Sequence, residues 1–224
     1  MTAGSNVYLL PQSNYLRSMH TIIRDRQGSR ADFVACSHRI IQLLLEASVE
    51  LLPFDKRDVT TPVGETYLGL SLAAKLCAVS VIRAGESMET EVRDLLPGVR
   101  IGKILIQRDK TTKLPTLYYS HLPDDIAERH VLLLEPMLAT GGSALAAIGV
   151  LLAAGVTEDN IIFVNFLAAP EGIEVVSQAH PGVRIVTSSI EDRLNDNAYM
   201  IPGIGDFGDR YFGTVDCGAS GVTA

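Results

Sequence analysis

The stretch Val131–Ser143, VLLLEPMLATGGS, decides the fold predicted for this chain. Its first part, Val131–Leu134, has the apolar character of a buried strand, and it is followed by the acid Glu135 and the small-residue loop Ala139–Ser143. The next residues, ALAAIGVLLAAG, predict a helix that ends at Gly155. A strand, a loop of Gly, Ser and Thr, and a helix N-terminus direct unpaired N–H groups and the helix dipole at one point. The sequence therefore predicts a site for a phosphorylated ligand.

The same alternation of strand, loop and helix recurs along the chain. Further apolar runs predict strands at Asn6–Leu10, Lys75–Ile82, Gly102–Ile106, Asn160–Ala168 and Val183–Ser188. Helical spacing of apolar residues predicts a packing helix over Ala31–Leu52, and His38 on it is interpreted as a surface or packing residue. Strands that alternate with helices indicate an α/β fold with a doubly wound parallel sheet and right-handed crossovers.

Two arginines follow predicted strands. Arg83 comes directly after one strand, and Arg108 comes shortly after the next. Ligands of open parallel sheets bind beyond the carboxyl ends of the strands, and guanidinium groups suit phosphates because they stay charged and donate in a rigid fork. We therefore expect both arginines to face the crevice that holds the phosphorylated ligand.

The segment 113–122, KLPTLYYSHL, departs from the alternation. It predicts an excursion, a β-arm that covers the site or contacts another subunit. The paired Tyr118 and Tyr119 are interpreted as interface or core packing.

The C-terminal stretch Asp192–Gly213 is dense in Gly, Pro, Asn and Asp, and it contains GIGDFG at 203–208. This is formally the dinucleotide fingerprint G-x-G-x-x-G. We reject that interpretation because Pro202 precedes the motif, no helical run is expected after it, and no acid lies about 20 residues further on in a second strand. The glycines instead predict a loop whose backbone closely approaches a small planar ligand.

Composition narrows the class of protein. The 224 residues are 47% hydrophobic and carry a net charge of −7, which argues against a general nucleic-acid binder. Cys36, Cys77 and Cys217 are widely spaced and predict free thiols in a reducing compartment. The N-terminus has no basic segment followed by an apolar run, and no segment reaches the roughly 18 apolar residues of a membrane span. We expect a cytoplasmic protein without a membrane partner.

Several blocks together resemble the uracil phosphoribosyltransferase family of the type I phosphoribosyltransferases. They are TPVGETY at 61–67, IRAGESM at 82–88, QRD at 107–109, EPMLATGGS at 135–143, AAPEG at 168–172 and YMIPGIGDFGDRYFG at 199–213. The ATGGS loop alone indicates the phosphoribosyl-binding class, whereas its combination with IPGIGDFGDR is typical of the uracil branch.

The resemblance implies a reaction and a set of partners. Uracil and 5-phosphoribosyl 1-diphosphate (PRPP) would give uridine monophosphate (UMP) and pyrophosphate, with Mg²⁺ carried by PRPP and no metal ligated by the protein alone. It also implies a single domain over residues 1–224, a small hood built from N-terminal and C-terminal (about 192–213) segments, a β-arm, and association as a homodimer or homotetramer. Some relatives are activated by GTP, although this chain shows no separate nucleotide motif.

The resemblance also implies residue roles. Arg83, Arg108 and Asp206 would be catalytic. The PRPP-binding residues would be Arg83, Arg108, Glu135, Pro136, Met137, Leu138, Ala139, Thr140, Gly141, Gly142, Ser143 and Asp206. Within this set Thr140–Ser143 would cradle the 5-phosphate, Glu135 would contact the ribose hydroxyls, and both arginines would hold pyrophosphate. Uracil would be read through the backbone of Met200, Gly205, Asp206 and Phe207.

Two residues depart from the family pattern. Glu135 stands where relatives usually have Asp, so we expect an altered affinity for PRPP with activity retained. Phe207 stands where many bacterial relatives have a small residue, which bears on tolerance for 5-substituted uracils. The likeness also suggests a cis peptide near Arg83-Ala84.

Two alternatives stay open at this point. A purine or orotate phosphoribosyltransferase would share the phosphate loop but not the block at 199–213. A catalytically silent relative would act as a regulatory binding protein, although the intact ATGGS loop and the acidic charge argue against it.

Overall fold

Strands and helices alternate along residues 6–108 and 115–214, which are the residues that the structure, a computed structural model, describes; for Arg108 it describes the backbone alone. The strands are β1 (Val7–Leu9), β2 (Phe54–Thr60), β3 (Thr66–Leu72), β4 (Leu76–Ile82), β5 (Arg100–Arg108), β6 (Pro115–His121), β7 (His130–Leu134), β8 (Met137–Leu138), β9 (Ile161–Ala168), β10 (Arg184–Ile190), β11 (Arg193–Leu194) and β12 (Met200–Ile201). The α-helices are α1 (Asn14–Arg24), α2 (Arg30–Val49), α3 (Glu89–Leu95), α4 (Gly142–Ala153), α5 (Pro170–Ala179) and α6 (Phe207–Phe212).

The central sheet confirms the predicted doubly wound α/β fold. Its strand order is β1-β10-β9-β7-β4-β5-β6, and β8 also pairs with β9. Neighbouring strands run parallel except for β5 and β6, which are antiparallel. The predicted edge strand at Asn6–Leu10 is β1, and β4, β7, β9 and β10 lie within a residue or two of their predicted bounds.

Both faces of the sheet are covered, which explains why its inner strands are apolar throughout. One buried cluster joins the sheet to α1, α2 and α3 through side chains such as Leu16, Ile40 and Val92. The other joins it to α4 and α5 through side chains such as Ile148 and Val176. A strand covered on both faces has no polar face to present, so β9 is buried along its whole length.

The winding of the sheet reverses between β4 and β7. From β4 the chain proceeds outward to β5, whereas from β7 it proceeds in the other direction to β9 and β10. In open α/β sheets the crevice beyond the carboxyl ends of the strands at such a reversal is where ligands bind. The residues that follow these two strands are Arg83 and Glu135, so the predicted site lies at the switch point of the sheet.

The predicted β-arm lies elsewhere than at 113–122. Pro115–His121 is the edge strand β6 of the central sheet, paired with β5. The projecting two-stranded hairpin is instead β2–β3, whose strands pair from Phe54 with Leu72 to Thr60 with Thr66. All seven residues of β2 are exposed, so the hairpin carries no core-facing periodicity that a sequence pattern could reveal.

The structure contradicts one of the two roles predicted for the tyrosines of β6, which is core packing. Tyr118 is 58% exposed and Tyr119 is 51% exposed, so neither packs in the core of this chain. Their other reading, as part of an interface, stays a prediction.

The expectation that no helical run follows GIGDFG is wrong. Phe207–Phe212 forms the short helix α6, which the side chain of Asp206 caps by accepting a hydrogen bond from the N–H of Asp209 at 2.8 Å. The dinucleotide interpretation still lacks its strand, because β12 is only two residues long and is followed by a cis Ile201–Pro202 bond.

Two further expectations concern cysteines and membranes. Cys36 and Cys77 are free thiols, and Cys217 lies outside the described residues. Across residues 6–108 and 115–214, no helix has the length and apolar character needed to cross a membrane.

Candidate active site

Two turns meet at the switch point of the sheet. The turn after β4 forms a 3-10 helix over Ala84–Met88 and packs on the end of β7. A Cβ placed on Gly85 would lie 2.2 Å from the carbonyl oxygen of Leu134, so only glycine allows this approach. The cis peptide lies between Ile82 and Arg83, one bond before the predicted position. The close approach brings Arg83 and Glu135 to the same end of the sheet.

The loop that follows β7 is held by a buried amide. The side-chain N–H₂ of Asn165 donates to the carbonyl oxygens of Glu135 at 3.2 Å and Pro136 at 3.0 Å. Its side-chain oxygen accepts a hydrogen bond from the hydroxyl of Thr187 at 3.0 Å. Asn165 was missed by the sequence analysis, although a polar residue inside the apolar strand NIIFVNFLA was a signal for such a role.

The loop ends at the N-terminus of α4 with the features of an anion site. Gly141 is the N-cap residue with a φ of 82°, and no side chain caps the helix. The first N–H groups of a 12-residue helix therefore point out of its N-terminus, where the helix dipole adds positive potential. Thr140 is exposed, and Gly142 and Ser143 are half-buried at the same helix end. This geometry supports the predicted phosphate cradle.

Glu135 has an unusual environment at the head of this loop. The residue is half-buried, but its Oε2 atom is sealed from solvent and has no hydrogen-bond partner among residues 6–108 and 115–214. Burial raises the pKa of its carboxyl group to about 8. Glu135 is therefore mostly protonated at pH 7, and one of its carboxyl oxygens has no partner among the described residues.

Arg83 is paired with helix α6 and with Thr214 just beyond it. Its Nη2 atom lies 2.7 Å from Oδ1 of Asp209, and its Nη1 atom donates to the hydroxyl of Thr214 at 3.0 Å. The hydrogen bond from Thr214 and then that from Arg83 lower the pKa of Asp209. Both side chains of the ion pair are more than one-third exposed, so the pair contributes at most about 1 kcal/mol.

The sequence analysis missed Asp209, which lies three residues after Asp206 in the same motif. The side chain of Arg108, the second predicted pyrophosphate ligand, lies outside the described residues, and its backbone ends β5.

The loop predicted to read uracil is anchored by apolar groups around an exposed centre. Gly205 and Asp206 are exposed, whereas Ile204 and Phe207 on either side are buried. The ring centroid of Phe207 lies 5.2 Å from that of Phe166, so this side chain packs into the core and not into the crevice. The exposed part of the loop is therefore Gly205 and Asp206.

The loop also reaches Arg83. A Cβ placed on Gly208 would lie 3.0 Å from Nη2 of Arg83 and 3.3 Å from Oδ1 of Asp206. Arg83, Asp206 and Asp209 are thus brought together. Met200 lies in β12 and is buried, behind the exposed part of the loop.

A cluster of charges supports the turn that carries Arg83. Nζ of Lys103 on β5 pairs with the carboxylates of Glu86 and Glu89, the latter at 3.1 Å. The hydroxyl of Ser80 also donates to Glu89 at 2.6 Å. These contacts hold the 3-10 helix against strands β4 and β5, and the same helix begins directly after Arg83.

Few of the described side chains could hold the Mg²⁺ ion that phosphoribosyltransferases generally use with PRPP. Within the part of the chain that the structure describes, no three His, Cys, Asp or Glu side chains cluster so as to hold a metal. The Oε2 atom of Glu135, which has no partner among the described residues, could contact a ribose hydroxyl, and it would be a ligand for Mg²⁺ only once the carboxyl group had lost its proton. Mg²⁺ is typically held by one or two carboxylates together with substrate phosphates and water.

Known proteins of one family resemble this chain over most of its length. The sequence model of the family "Uracil phosphoribosyltransferase" matches residues 10–214. Uracil phosphoribosyltransferase of Dictyostelium discoideum is 51% identical over 216 residues, covering 96% of this chain and 100% of the relative. The enzyme of the same name from Saccharomyces cerevisiae is 53% identical over 207 residues, covering 92% and 96%.

Solved structures show the same fold. The AQ2163 protein from Aquifex aeolicus superposes with a TM-score of 0.79 at 26% identity, covering 92% of this chain and 97% of that one. Adenine phosphoribosyl transferase from Trypanosoma brucei has a TM-score of 0.53 at 14% identity, covering 92% of each chain, and this likeness extends to the fold alone.

Proposed function

This chain belongs to the uracil phosphoribosyltransferase family, and from that premise we propose how its residues carry out the reaction. The enzyme transfers the 5-phosphoribosyl group of PRPP to uracil, giving UMP and pyrophosphate in pyrimidine salvage. One observation carries the assignment of residues: the uncapped N-terminus of α4, the turn at Arg83 and the exposed backbone at Gly205 all surround the switch point of the sheet.

PRPP is held along the loop from Glu135 to Ser143. The 5-phosphate accepts hydrogen bonds from the N–H groups and hydroxyls of Thr140–Ser143, where the dipole of α4 favours negative charge. Pro136, Met137, Leu138 and Ala139 shape the loop, and β8 fixes its middle against β9. The pyrophosphate is held by the guanidinium groups of Arg83 and Arg108.

The proposed charged residues match the charges that develop on the substrates during the reaction. Displacement at the anomeric carbon places positive charge on the ribose and negative charge on the leaving pyrophosphate. Arg83 and Arg108 stabilise the leaving group, and the exposed carboxylate of Asp206 faces the reaction centre. Glu135 enters the ligand-free site mostly protonated, so it donates to or accepts from a ribose hydroxyl and gains negative charge only if it loses its proton. Bound Mg²⁺ would neutralise part of the pyrophosphate charge.

Uracil is selected by the hood loop. The imide edge of uracil presents an acceptor, a donor and an acceptor, which match N–H, C=O and N–H groups offered by the backbone of Met200 and Gly205–Phe207. Cytosine places an amino donor where an acceptor is needed and leaves buried donors unpaired, at a cost of roughly 1–3 kcal/mol. Because the side chain of Phe207 is 1% exposed and packs inward, it supports the loop and leaves recognition to the backbone.

Base-binding measurements test this assignment against the other phosphoribosyltransferases. Isothermal titration in the presence of PRPP and Mg²⁺ is expected to show binding of uracil and none of cytosine, orotate or hypoxanthine at the same concentrations. Tighter binding of a purine or of orotate would contradict the role given to the loop at 199–213.

Four further properties complete the proposal. Mg²⁺ is carried by PRPP. Residues 1–224 form one phosphoribosyltransferase domain, in which the N-terminal segment and the segment at about 192–213 build the hood; hydrogen bonds from Arg24 in α1 to Glu191 and Gly203 support that hood. The enzyme acts in the cytoplasm, in keeping with its unpaired Cys36 and Cys77. GTP raises its rate, a proposal that rests on the family relationship and is tested by initial rates with and without GTP.

A homodimer or homotetramer is supported by the hairpin β2–β3. Val63, Leu68 and Leu70 are 84%, 77% and 69% exposed, and β2 and β3 pair with each other alone among the described strands. An isolated two-stranded hairpin is marginal in water, so we propose that a second copy of the chain covers it.

A further inference from the structure

We propose that the ion pair between Arg24 and Glu191 is a positioning device for uracil recognition, because it fixes the peptide groups of Gly203 at the start of the base-reading loop. The inference rests on the proposed role of the loop at Met200–Phe207. Neither residue is expected to touch a substrate, so both are positioning residues.

Glu191 is a buried carboxylate with four hydrogen-bond donors around it. Its side chain is 1% exposed, and its two oxygens accept from Nη2 of Arg24 at 2.6 Å and Nη1 of Arg24 at 2.8 Å. The same carboxylate accepts from the N–H of Gly203 at 2.7 Å and from the hydroxyl of Ser189 at 3.2 Å. Burial acts to raise the pKa of Glu191, but the hydrogen bonds from Arg24 and Gly203 outweigh it and lower that pKa.

Gly203 is held at both of its polar groups by this one ion pair. Its N–H donates to Oε2 of Glu191, and its carbonyl accepts from Nη1 of Arg24 at 3.0 Å. Gly203 has a φ of 68°, and a Cβ placed there would lie 2.2 Å from the carbonyl oxygen of Met200. The peptide that leaves the cis Pro202 is therefore fixed in one orientation, two residues before the exposed Gly205.

A second arginine extends the same connection to the far side of the loop. Nη1 of Arg210 donates to the carbonyl oxygen of Ile204 at 2.8 Å and to that of Ile23, the residue before Arg24. The end of α1 is thus connected to two successive carbonyl groups of the loop, directly to that of Gly203 and through Arg210 to that of Ile204. The backbone groups of Gly205 make no hydrogen bond with any residue in 6–108 or 115–214, so they are available to a base that the fixed neighbours orient.

A purely structural role for the pair makes different predictions. A buried ion pair is weak evidence for stability, because desolvation of two charges offsets their attraction. Its contacts are concentrated on Gly203 and on strand β10, and none reaches the PRPP loop at 135–143. Loss of the pair should therefore affect uracil and spare PRPP.

The test is a set of steady-state measurements on Glu191→Gln and Arg24→Lys. In Glu191→Gln the new amide N–H₂ faces an N–H group of Arg24 or Gly203, so one hydrogen bond is lost. In Arg24→Lys the bidentate hydrogen bond to Glu191 is lost. Each variant is expected to raise KM for uracil about tenfold, the effect of one charge-assisted hydrogen bond, with KM for PRPP changed by less than about twofold. The ratio of kcat/KM for uracil over cytosine should fall in parallel.

A matched control comes from the opposite end of the sheet. Asp125 accepts from Nη2 and Nε of Arg129 at 2.6 and 2.8 Å, and Arg129 directly precedes β7. Asp125→Asn removes a comparable pair remote from the hood, so it should leave KM for uracil unchanged even if it lowers the melting temperature. Melting temperatures of all variants separate lost folding from lost recognition.

Gly205→Ala separates the inference from the proposed function. If Gly205→Ala raises KM for uracil while Glu191→Gln and Arg24→Lys leave it unchanged, the positioning role is overturned and the loop assignment stands. If Gly205→Ala also leaves KM for uracil unchanged, the loop assignment itself is overturned. Equal increases in KM for both substrates in the two ion-pair variants would show a merely structural role.

Discussion

At the scale of single residues, Glu135 is the departure with the sharpest consequences. The Asp that the family resemblance implies at this position would hold its carboxylate closer to the backbone of the loop, whereas Glu135 adds one methylene. We predict that Glu135→Asp lowers KM for PRPP by about threefold to tenfold and keeps kcat within about the same range. Initial rates at varied PRPP and saturating uracil measure this. If KM for PRPP and kcat are both unchanged, Glu135 does not contact the sugar.

The buried carboxyl of Glu135 also predicts a pH dependence. Its pKa rises from 4.5 in the unfolded chain to about 8 in the ligand-free fold, so the native state binds the proton more tightly. Rising pH therefore reduces the free energy of unfolding between about pH 4.5 and 8. Glu135→Gln cannot titrate, so its stability relative to the wild type should increase with pH, by at most about 1.4 kcal/mol per unit.

Urea unfolding at pH 5, 6.5 and 8 measures that difference. Glu128→Gln, at a side chain 65% exposed, is the matched control for the chemical change alone. A constant difference between Glu135→Gln and the wild type across the three pH values would contradict the burial of a protonated Glu135.

At the scale of elements, the short helix α6 pairs with the arginine that we propose binds pyrophosphate. Asp209 of this helix pairs with the guanidinium that the proposed mechanism assigns to pyrophosphate. We predict that Asp209→Asn lowers KM for PRPP by up to about fivefold, because an exposed ion pair is worth at most about 1 kcal/mol. Steady-state kinetics measure this. A raised KM for PRPP together with a lowered kcat would show instead that Asp209 holds Arg83 in its working position.

The strands that are buried on both faces could be predicted from the sequence, whereas the exposed hairpin β2–β3 could not. β4, β7 and β9 read as strands because both of their faces lie under helices. The hairpin β2–β3 was missed because its side chains point to solvent and follow no core pattern. α6 was missed although its cap at Asp206 is a local signal, because the helix has only six residues and Phe207 packs on the distant Phe166, a contact that a local pattern does not contain.

The residues of the candidate site also differ in whether the sequence alone could predict them. The glycines and hydroxyl groups of the loop at 139–143 predict a phosphate site from local sequence alone, because the helix N-terminus directly follows them in the chain. The residues that support the loops do not, since Asn165 reaches back 30 positions to Glu135 and Arg24 reaches forward 167 positions to Glu191. Such partners become visible only when the topology brings their strands together.

At the scale of the whole molecule, the hairpin β2–β3 predicts association. The double variant Leu68→Ser, Leu70→Ser removes apolar side chains that a second copy would cover, so we expect the assembly to dissociate to monomers. Light scattering coupled to size-exclusion chromatography measures the mass. Tyr118→Ser on β6 is the matched control at the other candidate surface, and dissociation of that variant alone would move the interface to the edge strand.

The main conclusion is that the full chain transfers the phosphoribosyl group of PRPP to uracil at the switch point of the sheet. Conversion of radiolabelled uracil to UMP by the full chain, with PRPP and Mg²⁺, tests this most directly. We predict UMP and pyrophosphate in equal amounts, with both products absent when PRPP is omitted. A folded protein that binds PRPP and yields no UMP would contradict the account.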